Sequence, residues 1–219
     1  MNFLEECSRG VSVLWESIVS HPFLRELAKG VLPGQKFSYY LAQDDYYLED
    51  LLSTLGLLVA KADEKPLKVF AARLLSETIA GEVAMHETIE KEGYAHPFSK
   101  GEIARQYGDF LLRTAYEEDA LGILVAISPC FFTYRDIGVR WIREVNERTP
   151  QVYRLWLEVY AGEAYRDLVD TLRGWVCRKA SLVSPSRKEK LFGTFRWATI
   201  LEYRFWQESY TLDVDSSLT

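Results

Sequence analysis

The 219-residue sequence predicts an all-α fold, a single-domain helical bundle over residues 1–219. Three observations predict it. Apolar residues recur at spacings of three and four along most of the chain, and no stretch shows the alternation of a half-buried strand. Six prolines, Pro22, Pro33, Pro66, Pro97, Pro150 and Pro185, fall between the patterned stretches; a ring that fixes φ and removes an N–H belongs at such boundaries. No internal repeat, low-complexity linker or compositional shift divides the chain.

The elements follow in order. Residues 3–19 form one amphipathic segment, and 22–29 a short one that ends at Gly30. Residues 35–61 make a long helix, followed by 66–92, which ends at Gly93. Further helices are predicted over 99–117, 119–147, 150–180 and 185–210. Thr149-Pro150 and Ser184-Pro185 each pair a capping residue with a proline suited to the first helical turn. Pro129 is the exception among the prolines, because it falls within 119–147 and should kink or interrupt that helix just before Cys130. From Leu212 the helical pattern stops.

Composition narrows the functional classes. The 26 Lys and Arg against 32 Asp and Glu leave a formal charge of −6, which disfavours phosphate-driven binding to nucleic acid. No apolar run of 18 residues stands out, so a membrane-spanning helix is not expected. The opening MNFLEECSRG carries acids where a signal peptide places lysines, and the expected location is cytoplasmic. Cys7, Cys130 and Cys177 are odd in number and far apart, as suits reduced thiols. Thirteen tyrosines bring thirteen hydroxyls that need partners wherever they are buried.

Polar residues on apolar stripes are the candidates for chemistry. In the 35–61 helix, Asp44 interrupts the series Phe37, Tyr40/Leu41, Tyr47/Leu48, Leu51/Leu52 and Leu55, whereas Asp45 faces a wetter side. Glu202 likewise interrupts the face made by Phe195, Ala198/Thr199 and Phe205/Trp206. Burying a carboxyl is costly unless it is hydrogen-bonded or functional, and burial raises its pKa toward that of a general acid. Cys130 and Tyr134 lie one turn apart on the face that holds Ile123, Ile127, Ile137 and Trp141. Tyr107 and Tyr160 occupy similar inward positions on their helices. Spacing alone leaves two readings open for Asp44 and Cys130: a carboxylate satisfied by a buried Tyr or Arg and an inert packed thiol, or an aromatic pocket with two carboxylates and a thiol. Such a pocket suits a flat heterocycle, with Asp44 pairing to an amino group and the adjacent ring nitrogen.

Three segments resemble the thiaminase II (TenA) family in chain order: HPFLRELAKGVLPGQKFSYYLAQDDYYL (21–48), SPCFFTYRDIG (128–138) and LEYRFWQESY (201–210). The resemblance covers nearly all of the helical region. It implies a heme-oxygenase-like fold, a homotetramer, and hydrolysis at the aminopyrimidine methylene carbon without a cofactor or metal. The implied substrate is thiamin or 4-amino-5-aminomethyl-2-methylpyrimidine, and the product is the hydroxymethylpyrimidine used in thiamin salvage. By the same resemblance Cys130 matches the nucleophile and Glu202 the catalytic acid/base. Asp44 matches the acid that holds the amino group, and Tyr47, Tyr107, Tyr134 and Tyr160 match the substrate-binding tyrosines. The presence of Cys130 points to the cysteine-bearing group. Phe131, Phe132 and the pair Arg135-Asp136 depart from the family pattern and bear on substrate preference.

Two rival readings carry their own tests. Glu82 and His86 are spaced i, i+4 and could serve a metal-dependent oxidase on the same fold, but no second Glu/His pair accompanies them. A non-catalytic pyrimidine carrier or regulator would bind the same ring and release no ammonia.

Overall fold

The computed structural model describes residues 2–94 and 98–212, and within them every regular element is helical. His96, Pro97 and the unpatterned residues 213–219 lie outside the described residues. Helix α1 (Phe3–Gly10) begins with a capping box. The Asn2 side chain accepts from the Glu5 N–H, and Glu5 returns the bond to the Asn2 N–H at 2.9 Å. The expected 3–19 segment is two helices, because Val11 leaves helical geometry (φ −120°, ψ 12°) before α2 (Ser12–Val19). Helix α3 (Pro22–Ala28) starts at its proline, with His21 Nδ1 accepting from the Phe23 N–H at 3.3 Å. It stops before Gly30, whose φ of +71° and close approach to the Arg148 carbonyl leave no room for a side chain.

Helix α4 (Gly34–Lys61) buries the predicted stripe from Phe37 to Leu55, with Leu52 half-buried, and continues it to Leu58. The next predicted helix is composite. Helix α5 (Lys65–Thr78) passes through a π turn at Ile79–Val83 into α6 (Ala84–Ile89), and a second π turn at Glu90–Tyr94 carries Gly93 at φ +94°. Helix α7 (Glu102–Glu117) leads to α8 (Ala120–Trp141), whose N-cap Asp119 accepts from the Gly122 N–H at 2.8 Å. Pro129 lies buried inside α8 without ending it. The helix closes in a 3₁₀ turn at Ile142–Glu144, short of the expected residue 147.

The region expected as one helix over 150–180 is α9 (Gln151–Ala161) and α10 (Glu163–Ala180), parted by extended backbone at Gly162. Arg135 explains the break. Its guanidinium donates to the carbonyls of Tyr160, Ala161 and Gly162 at 3.1, 2.7 and 3.2 Å, completing the C-terminus of α9. Thr149 does not cap α9; its hydroxyl donates instead to the Ala28 carbonyl at 2.7 Å, and Pro150 takes the N-cap position. Ser184 does cap α11 (Pro185–Thr211), accepting from the Arg187 N–H at 3.2 Å.

Helix α8 is the axis of the packing, with α2, α7, α9, α10 and α11 against it. The stretch Ala120–Glu144 is long and apolar enough to cross a membrane, contrary to the sequence expectation, yet 89% of its most apolar window is buried within the molecule. One contact on α8 sets the position of α9. A Cβ on Gly138 would meet the Tyr160 carbonyl carbon at 2.5 Å and the Ala161 nitrogen at 2.6 Å, so the two backbones touch. Gly138→Ala must therefore push α9 outward. The expected cost is about 1–3 kcal/mol, read as a lower thermal midpoint. Tyr160 moves with it, so activity should fall further than the stability loss explains.

Candidate active site

The seven residues singled out from sequence converge between α4, α7, α8, α9 and α11, and all are buried. Asp44 is 3% exposed, whereas the side chain of its neighbour Asp45 is 39% exposed, as the stripe predicted. Tyr40, one turn before Asp44, donates its hydroxyl to Asp44 Oδ2 at 2.8 Å. Tyr134 stands 3.0 Å from the Tyr40 hydroxyl and, with that proton already committed, donates to it. Asp44 thus sits at the end of a two-tyrosine chain reaching from α8 to α4.

The other side of Asp44 faces His86. The imidazole lies between two carboxylates, with Nδ1 2.6 Å from Asp45 Oδ1 and Nε2 3.3 Å from Asp44 Oδ2. The second contact is an ion pair set off the ideal hydrogen-bond line. Burial works against charge on His86, but the bonds and attraction of Asp44 and Asp45 outweigh it and push the pKa up to about 10. The ring nitrogens of the i, i+4 pair considered for a metal therefore face carboxylates. Among the described residues no group of three or more His, Cys, Asp or Glu is arranged to hold a metal ion.

Glu202 projects from α11 and accepts from the Tyr107 hydroxyl at 2.8 Å. Burial, reinforced by repulsion from Asp44, pushes its pKa up to about 8, against the restraining hydrogen bonds of Tyr107, Thr133 and Cys130. The Cys130 thiol is held well above its ordinary range, first by burial and then by the nearby Glu202 and Glu82. The Tyr47 hydroxyl faces the same thiol and eases that shift, although it closes no hydrogen bond of good geometry. A thiol whose proton is hard to lose thus stands beside a carboxyl that itself holds its proton up to about pH 8.

Aromatic rings make the walls. Tyr40 stacks on Trp206 with centroids 5.0 Å apart and 9° between planes, and Tyr47 meets Tyr107 at 4.7 Å. Tyr134 and Trp156 both lie 4.8 Å from Tyr160, each edge-on. Parallel and T-shaped pairs of this kind hold ring orientation, which is what recognition of a flat heterocycle needs.

Sequence reasoning missed some of this cluster. Tyr40 was visible as Asp44's neighbour one turn back, on the same face. Glu82, weighed only as a metal ligand, continues the buried stripe Leu67, Phe70/Ala71, Leu74 and Thr78. Its carboxyl accepts from the Tyr160 hydroxyl at 3.2 Å. Burial, with repulsion from Asp44, pushes it up to about 7, while His86 and Tyr160 offset part of the rise. Tyr165 gave no signal, since only the break at Gly162 brings it beside Tyr160, at 5.1 Å between centroids.

The TENA/THI-4/PQQC family profile matches residues 9–212. The chain belongs to that family. An aminopyrimidine aminohydrolase of Halalkalibacterium halodurans is 25% identical over 215 residues, covering 96% of each protein. A TenA homologue from P. horikoshii superposes with a TM-score of 0.85 at 27% identity, over 96% of this chain and 99% of that one. A protein of unknown function with a heme oxygenase-like fold, from Shewanella denitrificans, shares the architecture at a TM-score of 0.73. Its 12% identity, over 95% of this chain and 92% of that one, speaks to fold alone. The TENA/THI-4/PQQC fold is thus the heme-oxygenase-like helical bundle, and the cluster around Cys130 lies within the matched residues.

Proposed function

We propose that the protein is an aminopyrimidine aminohydrolase of thiamin salvage, hydrolysing an aminopyrimidine at its exocyclic methylene. The observation that carries this reading is the Cys130 thiol beside Glu202, inside aromatic walls that also hold Asp44. In this reading Asp44, oriented by Tyr40 and His86, takes the amino group and adjacent ring nitrogen of the pyrimidine. Glu202 removes the Cys130 proton as sulfur adds to a ring carbon, and returns it to a ring nitrogen. The interrupted ring expels the leaving group from the methylene with the bonding electron pair. Water then adds there, and the thiolate departs as the ring is restored. Covalent addition replaces one difficult displacement at a methylene with easier steps. The same reading has the protein in the cytoplasm as a homotetramer.

The test is direct. Purified protein incubated with the aminomethylpyrimidine should release one ammonia for each hydroxymethylpyrimidine formed. Thiamin assayed alongside ranks the two leaving groups. Tight pyrimidine binding without ammonia release would replace the enzyme with a carrier.

A further inference from the structure

Glu82 has no part in the steps above, yet it is built into the same cluster. It is 6% exposed and sits on the π turn Ile79–Val83, a widened turn of the kind that recurs at functional sites. Its carboxyl accepts a hydrogen bond from the Tyr160 hydroxyl at 3.2 Å. His86, one turn along, directs its ring nitrogens at Asp45 and Asp44.

A second observation bears on the same place. The Tyr165 hydroxyl is buried, has no hydrogen-bond partner, and has Glu82 and then Cys130 as its foremost electrostatic neighbours. An unsatisfied buried hydroxyl costs about 1–3 kcal/mol, and native structures carry few of them. A carboxyl with acceptor capacity to spare and an unpaired hydroxyl, both close to the nucleophilic sulfur, make a site for a group rich in N–H donors. Asp44 and Glu202 have other work in this pocket, at the ring edge and at the thiol.

We infer that Glu82, with Tyr160 and Tyr165, forms the leaving-group subsite and binds the exocyclic primary ammonium of the aminomethylpyrimidine. The inference rests on the aminohydrolase reading and names what selects its substrate. The ammonium nitrogen carries three hydrogens when it docks on the Glu82 carboxylate. When the C–N bond breaks, the bonding pair becomes the lone pair of neutral ammonia, which leaves with the same three hydrogens. Glu82 keeps the amine protonated until that moment, and no other reagent is needed. Burial that pushes its pKa up to about 7 lets a cation, once bound, favour the ionised form. A thiazolium leaving group offers no N–H at the departing nitrogen and draws little from this carboxylate.

The experiment measures calorimetric affinity for the aminomethyl- and hydroxymethylpyrimidines in Cys130→Ala protein, with and without Glu82→Gln. The ratio of affinities, amine over alcohol, should fall by about 10²-fold, the loss of one charge-assisted contact. Equal weakening for both ligands would make Glu82 a structural residue and overturn the inference, as would an unchanged ratio. If Glu82→Gln fails to fold, Tyr165→Phe is measured the same way and should lower the ratio by about tenfold; an unchanged ratio there overturns it. Wild-type protein that binds both pyrimidines but releases no ammonia refutes the aminohydrolase reading instead, while the binding ratio still judges the subsite.

Discussion

Cys130→Ala is expected to lower kcat/KM for the aminomethylpyrimidine by at least about 10³-fold while leaving affinity for the hydroxymethyl product within about threefold. The two halves of this expectation have separate causes. In the proposed mechanism the thiol is the covalent partner of the ring, and neither other cysteine is placed to replace it: Cys7 is buried against α10 and α11, and Cys177 is on α10 facing α1. In the same mechanism binding rests on Asp44, held by Tyr40 and His86, and on the stacked rings. Removing one buried sulfur costs about 1 kcal/mol of packing at most, so the fold survives. Cys130→Ser separates chemistry from space, since it nearly preserves shape and replaces the thiol with a far poorer nucleophile. Rapid-quench turnover with calorimetric binding checks both variants. A serine variant that retains most of the wild-type rate would remove Cys130 from the chemistry.

The helical class and most element boundaries were legible because a period of 3.6 survives in any helix that buries one face. What escaped were local departures from regular helix. Gly162 breaks 150–180 into two helices that pack on the same core, and the buried series slips by only one residue there, from Tyr160 to Tyr165 with Ala164 exposed. The device that stabilises the break, Arg135 on three carbonyls, comes from a distant helix. Of the two outcomes expected at Pro129, a kink or an interruption, the interruption does not occur: α8 runs through the proline with its ring buried. At the site, Asp44 and Glu202 were legible because a carboxylate on an apolar stripe is conspicuous. Their partners were less so: a tyrosine such as Tyr40 or Tyr165 belongs in a core whether or not its hydroxyl has work to do. His86 shows the remaining difficulty, because its i, i+4 relation to Glu82 is local, whereas its contacts to Asp44 and Asp45 belong to tertiary structure.

Glu202→Gln should cut kcat/KM by about 10²–10⁴-fold and at the same time make the protein more stable at neutral pH. The glutamine keeps an oxygen for the Tyr107 hydroxyl, so the geometry of α7 against α11 is retained. It has no proton to exchange with Cys130, whose pKa burial already holds high. In the proposed mechanism the pair must lose one proton before sulfur can attack, so wild-type kcat/KM should climb as pH rises through about 8, the value to which Glu202 is pushed. In the variant that limb moves upward, toward the titration of the buried thiol itself. Stability runs the other way. A carboxyl raised from 4.5 to about 8 on folding favours the native state fully below about 4.5, loses that contribution as pH rises, and has none left above about 8. At pH 7 the wild type forgoes up to about 3 kcal/mol relative to a neutral side chain of the same shape, from about 1.4 kcal/mol for each pH unit above 4.5. Thermal midpoints measured from pH 5 to pH 9 should therefore fall more steeply for the wild type than for the glutamine variant. A residue kept only for packing would show loss of activity and loss of stability together; gain in one with loss of the other marks a carboxyl retained for its proton. If Glu202→Gln melts lower than wild type at pH 8, the buried acid is structural, and the proton that Cys130 must lose goes elsewhere.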